Sequence, residues 1–251
     1  MMIALAITPP IFLAVGLTKL LMIYAFISCA ATFFFFIFAK EGSLEATCDT
    51  SASFSFQDFW TLSKFKPFLI LEFGFFVVIG GFTALMTWLE QMLLDLHGIG
   101  LDEAGLLGGL LIIGGIVGSI VIPTLSDKTK KRKPYILVDL LIGTVLLYTI
   151  GIIGSFELLA LIFFITGFFL MSALPLVLDL STQFSRKGME GRASSLLWFF
   201  SQLGSVILIV LVEPIKDLWG SYQYSIILIV LLWAISFVLF ATINEKTSIK
   251  M

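Results

Sequence analysis

The chain has 251 residues, of which 59% are hydrophobic and 13% charged, with a formal net charge of −2. Soluble domains carry roughly 45–50% apolar and about 25% charged residues, so this composition excludes a water-soluble globular fold and requires a lipid bilayer as part of the solvent. A mean hydropathy of +1.09 agrees, and the placement of the charges is more informative than their sum.

A helix rises about 1.5 Å per residue, so a hydrocarbon layer of roughly 30 Å takes about 20 apolar residues. The first run, 1–17, is apolar but short; it holds Pro9-Pro10 and no basic leader, a poor match to a signal peptide. Full-length runs follow at 20–39, 67–94, 104–124, 134–153, 157–178, 193–212 and 223–242. Lipid leaves no backbone group unpaired, and these runs exceed the roughly 9–11 residues of a barrel strand. The sequence therefore predicts an all-α polytopic membrane protein with about eight spans. Short connections at 98–102, 126–133, 154–155, 186–192 and 214–220 make neighbouring spans antiparallel. Cys29 sits in an apolar run and Cys48 in a polar one, so no disulfide is expected.

Residues 40–66 are the longest polar stretch and divide the chain into 1–39, 40–66 and 67–251. Drawn as a helix, Phe56, Phe59, Trp60 and Leu62 share one face, opposite Gln57, Asp58, Thr61 and Lys64. That pattern suits a helix lying at the membrane surface; an irregular loop with scattered aromatics is the alternative. If the spans alternate and Met1 starts inside, every Lys and Arg except Lys19 and Lys216 falls on the inner side. By the positive-inside rule both termini face the cytoplasm of a cell membrane.

The arrangement resembles the major facilitator superfamily, in which two six-helix bundles are joined by a long cytoplasmic loop. The local match lies between the fourth and fifth spans, where Leu125, Ser126, Asp127, Lys128, Lys131 and Arg132 fit the pattern G-x-L-a-D-R/K-x-G-R/K-R/K. Pro123 and Lys130 stand at its two glycine positions. A second likeness, Gly191-Arg192 to Gln202 and Gly204, is similar to the start of the family's eleventh helix. The resemblance implies that 67–242 form a C-terminal six-helix bundle, that 1–39 supply family helices five and six, and that helices one to four have no counterpart here. A partner chain could supply them.

The resemblance also implies a gate in which Asp127, with Lys128, Lys131 and Arg132 beside it, meets the N-terminus of the eleventh helix near Gly191-Arg192. A basic loop that only fixes topology is the competing reading. Ionisable residues within spans are costly and usually functional. Glu72, Asp139 and Asp179 all fall near the basic loops, and salt bridges to 128–133, Arg186 or Arg192 are the economical assignment, with snorkelling to water as the alternative. No acid or base lies at the middle of a span, so proton coupling would be expected to reside in the missing helices.

Among the mid-span polar residues Thr83, Thr144, Tyr148, Thr166, Ser172 and Gln202, the last is the leading substrate contact. Trp198 lies one turn away on the same face, and Thr83 is a further candidate. A hydrogen bond from Gln202 to a neighbouring helix is an equal alternative. Glu90 and Gln91 would either line an outer vestibule or end a helix in solvent. Gly105/Gly109 and Gly114/Gly118 have the G-x-x-x-G spacing of closely packed membrane helices; by the resemblance their partner is 1–17. Gly167 and Pro175 could supply a kink.

These features favour a secondary transporter for a small solute, working by alternating access. An incomplete transporter that needs a partner chain is the second reading. An intramembrane enzyme would need a nucleophile with its base or a ligand cluster, and the single His97 offers neither, so no enzymatic activity, metal or cofactor is expected. Nor are direct ATP use, in the absence of a Walker pattern, and nucleic-acid binding.

Overall fold

The computed structural model describes residues 2–38, 62–185 and 189–243, with side chains of the first helix described at 16 and 18–38. All but the last three positions of the surface helix expected near 56–64 lie outside these residues, as do Lys40, Arg186, Lys187, Lys246 and Lys250. The chain divides into two compact units, 1–55 and 56–251.

In the first unit, α1 (Met2–Phe38) is interrupted at Gly16, whose φ of 77° and ψ of 166° lie outside helical space. Such a backbone is open to glycine and strained for residues with a Cβ. The break falls where the sequence separates its first two apolar runs. The segment Thr18–Phe38 is long and apolar enough to cross a membrane. Phe26, Phe33, Phe34, Phe35, Phe36 and Phe38 are all exposed on it, and Phe34 and Phe38 stack at i, i+4 with ring centroids 6.0 Å apart.

The second unit contains six helices: α2 (Lys66–His97), α3 (Leu101–Thr129), α4 (Lys133–Ile150), α5 (Phe156–Phe184), α6 (Glu190–Trp219) and α7 (Tyr222–Thr242). With Thr18–Phe38, seven helices among the described residues are long and apolar enough to span a membrane. The eighth span expected at 1–17 is not among them, because the run before Gly16 is too short. Prolines at the first positions start α2 and α4, where the missing N–H would have had no helical partner. Gly98 and Gly220 end α2 and α6 with φ of 68° and 80°, the left-handed cap that glycine supplies cheaply. Ser221 caps α7, its Oγ accepting from the Gln223 N–H at 3.2 Å.

Two helix pairs run parallel and in close contact. On α2 and α6, Gly80 abuts the Gly204 backbone, Gly204 abuts the Phe76 carbonyl, and the Trp88 Nε1–H donates to the Ile209 carbonyl at 3.0 Å. On α3 and α5, Gly114 and Gly118 seat the carbonyls of Phe164 and Phe168, while Gly167 seats that of Leu111. Helix α7 runs antiparallel to α2 and α4. Its Trp233 is buried against Gly81 and Gly143, and its Nε1–H donates to the Val77 carbonyl at 3.2 Å. These directions bring Lys64, Lys66, Lys128, Lys130, Lys131, Arg132, Lys133 and Arg192 to one end of the bundle, called the basic end below. Of the described lysines and arginines of this unit, Lys216 lies at the other end.

Candidate functional site

At the basic end the α3–α4 turn forms a polar network around Arg132. The guanidinium pairs with the Asp127 carboxylate at 2.5 Å and, through Nε, with Asp179 Oδ2 of α5 at 2.7 Å. Arg132 Nη1 also donates to Ser126 Oγ at 3.0 Å, and that buried hydroxyl donates to the Lys131 carbonyl at 2.7 Å. Gln183, one turn beyond Asp179, donates to the same Oδ2 at 2.9 Å. Desolvation pulls the Arg132 pKa down, but hydrogen bonds and attraction from Asp179 and Asp127 outweigh it, and the net shift is upward. Asp127, Lys130, Arg132 and Gln183 line a cleft of about 180 Å³.

This geometry corrects the expected gate. Among the described residues, Asp127 is ion-paired to Arg132 of its own turn, not seated on the N-terminus of α6. Among the described residues an ion pair from Arg132 ties this turn to α5. The reason is proximity, because the turn folds Arg132 back over the end of α3. Lys130 makes the fold-back possible with φ 53° and ψ 33°. The family pattern has glycine at this position, and a side chain there costs about 1 kcal/mol. Lys128 and Lys131 are exposed, and Arg192 is half-buried in the first turn of α6.

The expected cation partners of the buried acids are also corrected. Asp179 does pair with Arg132, but among the described residues no ion pair is found for Glu72 or Asp139, each 2% exposed. Glu72 accepts from Ser63 Oγ at 2.9 Å, and Asp139 lies 3.0 Å from Ser172 Oγ on α5. Both carboxyls are on helix faces turned into the bundle, and the lysines are on the turns outside it.

A different constellation occupies one side of the α2–α6 pair. Trp198 is 40% exposed and packs edge-on against Phe75, with ring centroids 5.8 Å apart. Gln202, one turn further along α6, is exposed, and no hydrogen bond is found for its side chain among the described residues. Thr83 is half-buried; its hydroxyl donates to the Ile79 carbonyl at 2.8 Å and accepts from Ser205 Oγ at 3.2 Å, tying α2 to α6. Thr87 and Glu90 continue outward along α2 with exposed side chains, as does Gln91. Of the other mid-span polar residues, Thr144 donates to the Leu140 carbonyl, Tyr148 is exposed, and Thr166 is fully buried.

The glycines divide. Gly114 and Gly118 pack against α5 inside the bundle. Gly105 and Gly109 have nothing within 4 Å of a built Cβ among the described residues. Gly167, expected as a kink, seats a carbonyl of α3. Ser205, Phe75 and Gln183 were not singled out from the sequence. The i, i+4 spacing of Asp179 and Gln183 could have revealed the last, whereas the other two depend on which helices pair.

Known proteins supply the remaining context. The family model described as Major Facilitator Superfamily matches residues 1–209. An uncharacterised protein of Archaeoglobus fulgidus is 37% identical over 228 residues, covering 90% of this chain and 100% of that one. The choline/ethanolamine transporter flvcr2a of Danio rerio is 29% identical over 170 residues, 66% of this chain. The choline/ethanolamine transporter FLVCR1 of Mus musculus is 30% identical over 150 residues, 55% of this chain. The matched segments span 36% and 25% of those two transporters. By the extent of the family match, and by its helical, membrane-spanning construction, the chain belongs to the Major Facilitator Superfamily.

Proposed function

We propose that the chain is the larger part of a secondary transporter that moves a small amine-bearing alcohol across the cell membrane by alternating access. Trp198 and Gln202 would contact the solute, with Thr83 beside them. The observation that carries this reading is the α2–α6 face, where an exposed indole lies one turn from an exposed carboxamide, with the Thr83 hydroxyl nearby. An indole face attracts an alkylammonium group by roughly 0.5–2 kcal/mol, and a carboxamide can both donate to and accept from a hydroxyl. The relatives named as choline/ethanolamine transporters handle solutes of this chemistry. In this reading the basic end and both termini face the cytoplasm, and the Asp127–Arg132–Asp179 network holds the inner side shut.

Uptake of labelled choline and ethanolamine into proteoliposomes tests the assignment. Trp198→Ala and Gln202→Ala should each lower uptake about tenfold, the effect of losing roughly 1.4 kcal/mol. Undiminished uptake in both variants would overturn it. A second reading follows from the short spans matched in the named transporters: the chain works as a subunit. Uptake that appears only when a chain bearing four further helices is co-reconstituted would establish that arrangement.

A further inference from the structure

Asp139 poses a hydrogen-bond accounting problem that a bound proton would solve. Ser172 has a single hydroxyl proton and two acceptors in reach, the Phe169 carbonyl at 2.7 Å and Asp139 Oδ2 at 3.0 Å. If the proton goes to the nearer carbonyl, two oxygens face each other, and an ionised Asp139 would be left without a donor. Its other oxygen, Oδ1, also lacks a partner among the described residues. A buried carboxylate with no cation partner among the described residues and one donor shared with a carbonyl is a costly group. A proton on Oδ2 resolves both contacts: Asp139 donates to Ser172 Oγ, and Ser172 donates to Phe169. Oδ1 then remains as a neutral carbonyl oxygen, whose burial costs far less. The same accounting does not settle Glu72, because Ser63 has no competing acceptor among the described hydrogen bonds.

The surroundings leave that proton uncontested. On α4, Lys133 is turned away, donating to the Ala241 and Ile243 carbonyls at 2.6 Å each, and Tyr135 and Tyr148 lie toward its two ends. On α5, Glu157 is in the first turn at the far end and Asp179 is held by Arg132. Helix α7 contains no charged residue; its Tyr222 and Tyr224 are at its start. Glu72 on α2 is engaged by Ser63.

Position supplies the route. Arg132 pairs with Asp179 and Asp139 with Ser172, so α4 and α5 are joined by two rungs in one antiparallel register, seven residues apart on each strand of the ladder. Seven residues are about 10 Å, or two turns on one helix face. The outer rung borders the cleft at the basic end, and the inner rung is sealed behind it. Between Ser172 and Asp179 lies Pro175, which has no N–H to bond the Met171 carbonyl and weakens α5 at that point. We propose that Asp139 is a proton-binding site: it holds a proton on Oδ2 while Arg132 grips Asp179, and releases it to water at the basic end when the part of α5 beyond Pro175 swings away. The assignment does not depend on which solute is carried.

Infrared spectroscopy of the purified chain at neutral pH tests it without any transport assay. Aspartate labelled with ¹³C at the side-chain carboxyl should shift a protonated-carboxyl C=O band, and Asp139→Asn should remove that band while Glu72→Gln leaves it. In D₂O the band should exchange slowly in the native protein and about tenfold faster in Arg132→Gln, where the outer rung is broken. The absence of a protonated aspartate band in the labelled native protein would overturn the proposal even if the Asn variant failed to fold. So would a band that survives Asp139→Asn, or equal exchange rates with and without Arg132.

Discussion

Adding one methyl group at two glycines of α3 should move stability in opposite directions. At Gly118 a built Cβ runs into the Phe168 carbonyl oxygen, well inside the 3.4 Å at which ordinary contact begins. The obstructing atom is backbone in the interior of α5, so no rotamer change can relieve it, and the two 29-residue helices must part. Overpacking costs roughly 1–3 kcal/mol, and a backbone obstruction belongs at the upper end. Alanine's helix propensity returns about 1 kcal/mol relative to glycine, leaving Gly118→Ala about 2 kcal/mol less stable. Gly105 has the same motif spacing on the same helix but open space around its Cβ. Gly105→Ala should be neutral or up to about 1 kcal/mol more stable. Reversible SDS titration in mixed micelles, followed by circular dichroism, measures both. A shift of the same sign in the two variants would refute the claim that only one G-x-x-x-G pair is a packing surface within the bundle.

The α3–α4 turn should tolerate Lys130→Gly and gain about 1 kcal/mol from it, since Lys130 pays the left-handed penalty that glycine avoids; the same titration reads the gain. Lys133 donates to two carbonyls at the C-terminus of α7, so Lys133→Met should fray that end at a cost of about 1 kcal/mol, seen as faster backbone hydrogen exchange near Thr242. The indole of Trp233 is buried with its N–H on the Val77 carbonyl. Trp233→Phe should therefore cost about 2 kcal/mol, combining the lost bond with a cavity, whereas Trp198→Phe on the exposed face should cost less than about 1 kcal/mol.

The sequence exposed what depends on solvent and chain chemistry. Apolar run lengths marked the long helices, Pro67 and Pro134 their starts, and Gly98 and Gly220 their ends, because each of these is a local property. Asp127 and Arg132 were legible as parts of one charged turn for the same reason, whereas the choice of Arg132 among the candidate partners of Asp179 was left open. What stayed hidden depends on which helix faces which. Gly105/Gly109 and Gly114/Gly118 are indistinguishable as spacing, yet the second pair packs on α5 and the first has no neighbour among the described residues. Glu72 and Asp139 sit as close to the basic loops in sequence as Asp179 does. Asp179, however, lies at the rim within reach of Arg132, while the other two turn inward to serines. A count of nearby lysines could not separate them, because reach is set by helix rotation.

Helix pairing also determines where the bundle can bend. In α2–α6 and α3–α5 several contacts are carbonyls seated on glycines, which bring the two backbones of each pair close together. Direct contact between α5 and α6 is sparse. The space between α2, α4, α5 and α7 holds an apolar cavity of about 20 Å³ lined by Gly74, Leu140, Ala173 and Phe240 among others. That space is large enough for about one water molecule, but its lining offers no polar partner to hold one, so it gives slack in an apolar seam. Near this seam the Arg132–Asp179 pair is a weak tie at the basic end. Its carboxylate is 42% exposed, water can replace either partner, and such pairs are worth roughly 0–1 kcal/mol. Separating a glycine-seated helix pair would instead strip contacts along several turns. On the proposal above, opening from the basic end would begin with Arg132 releasing Asp179 and proceed by bending α5 at Pro175, and the first buried polar rung uncovered would be Asp139–Ser172.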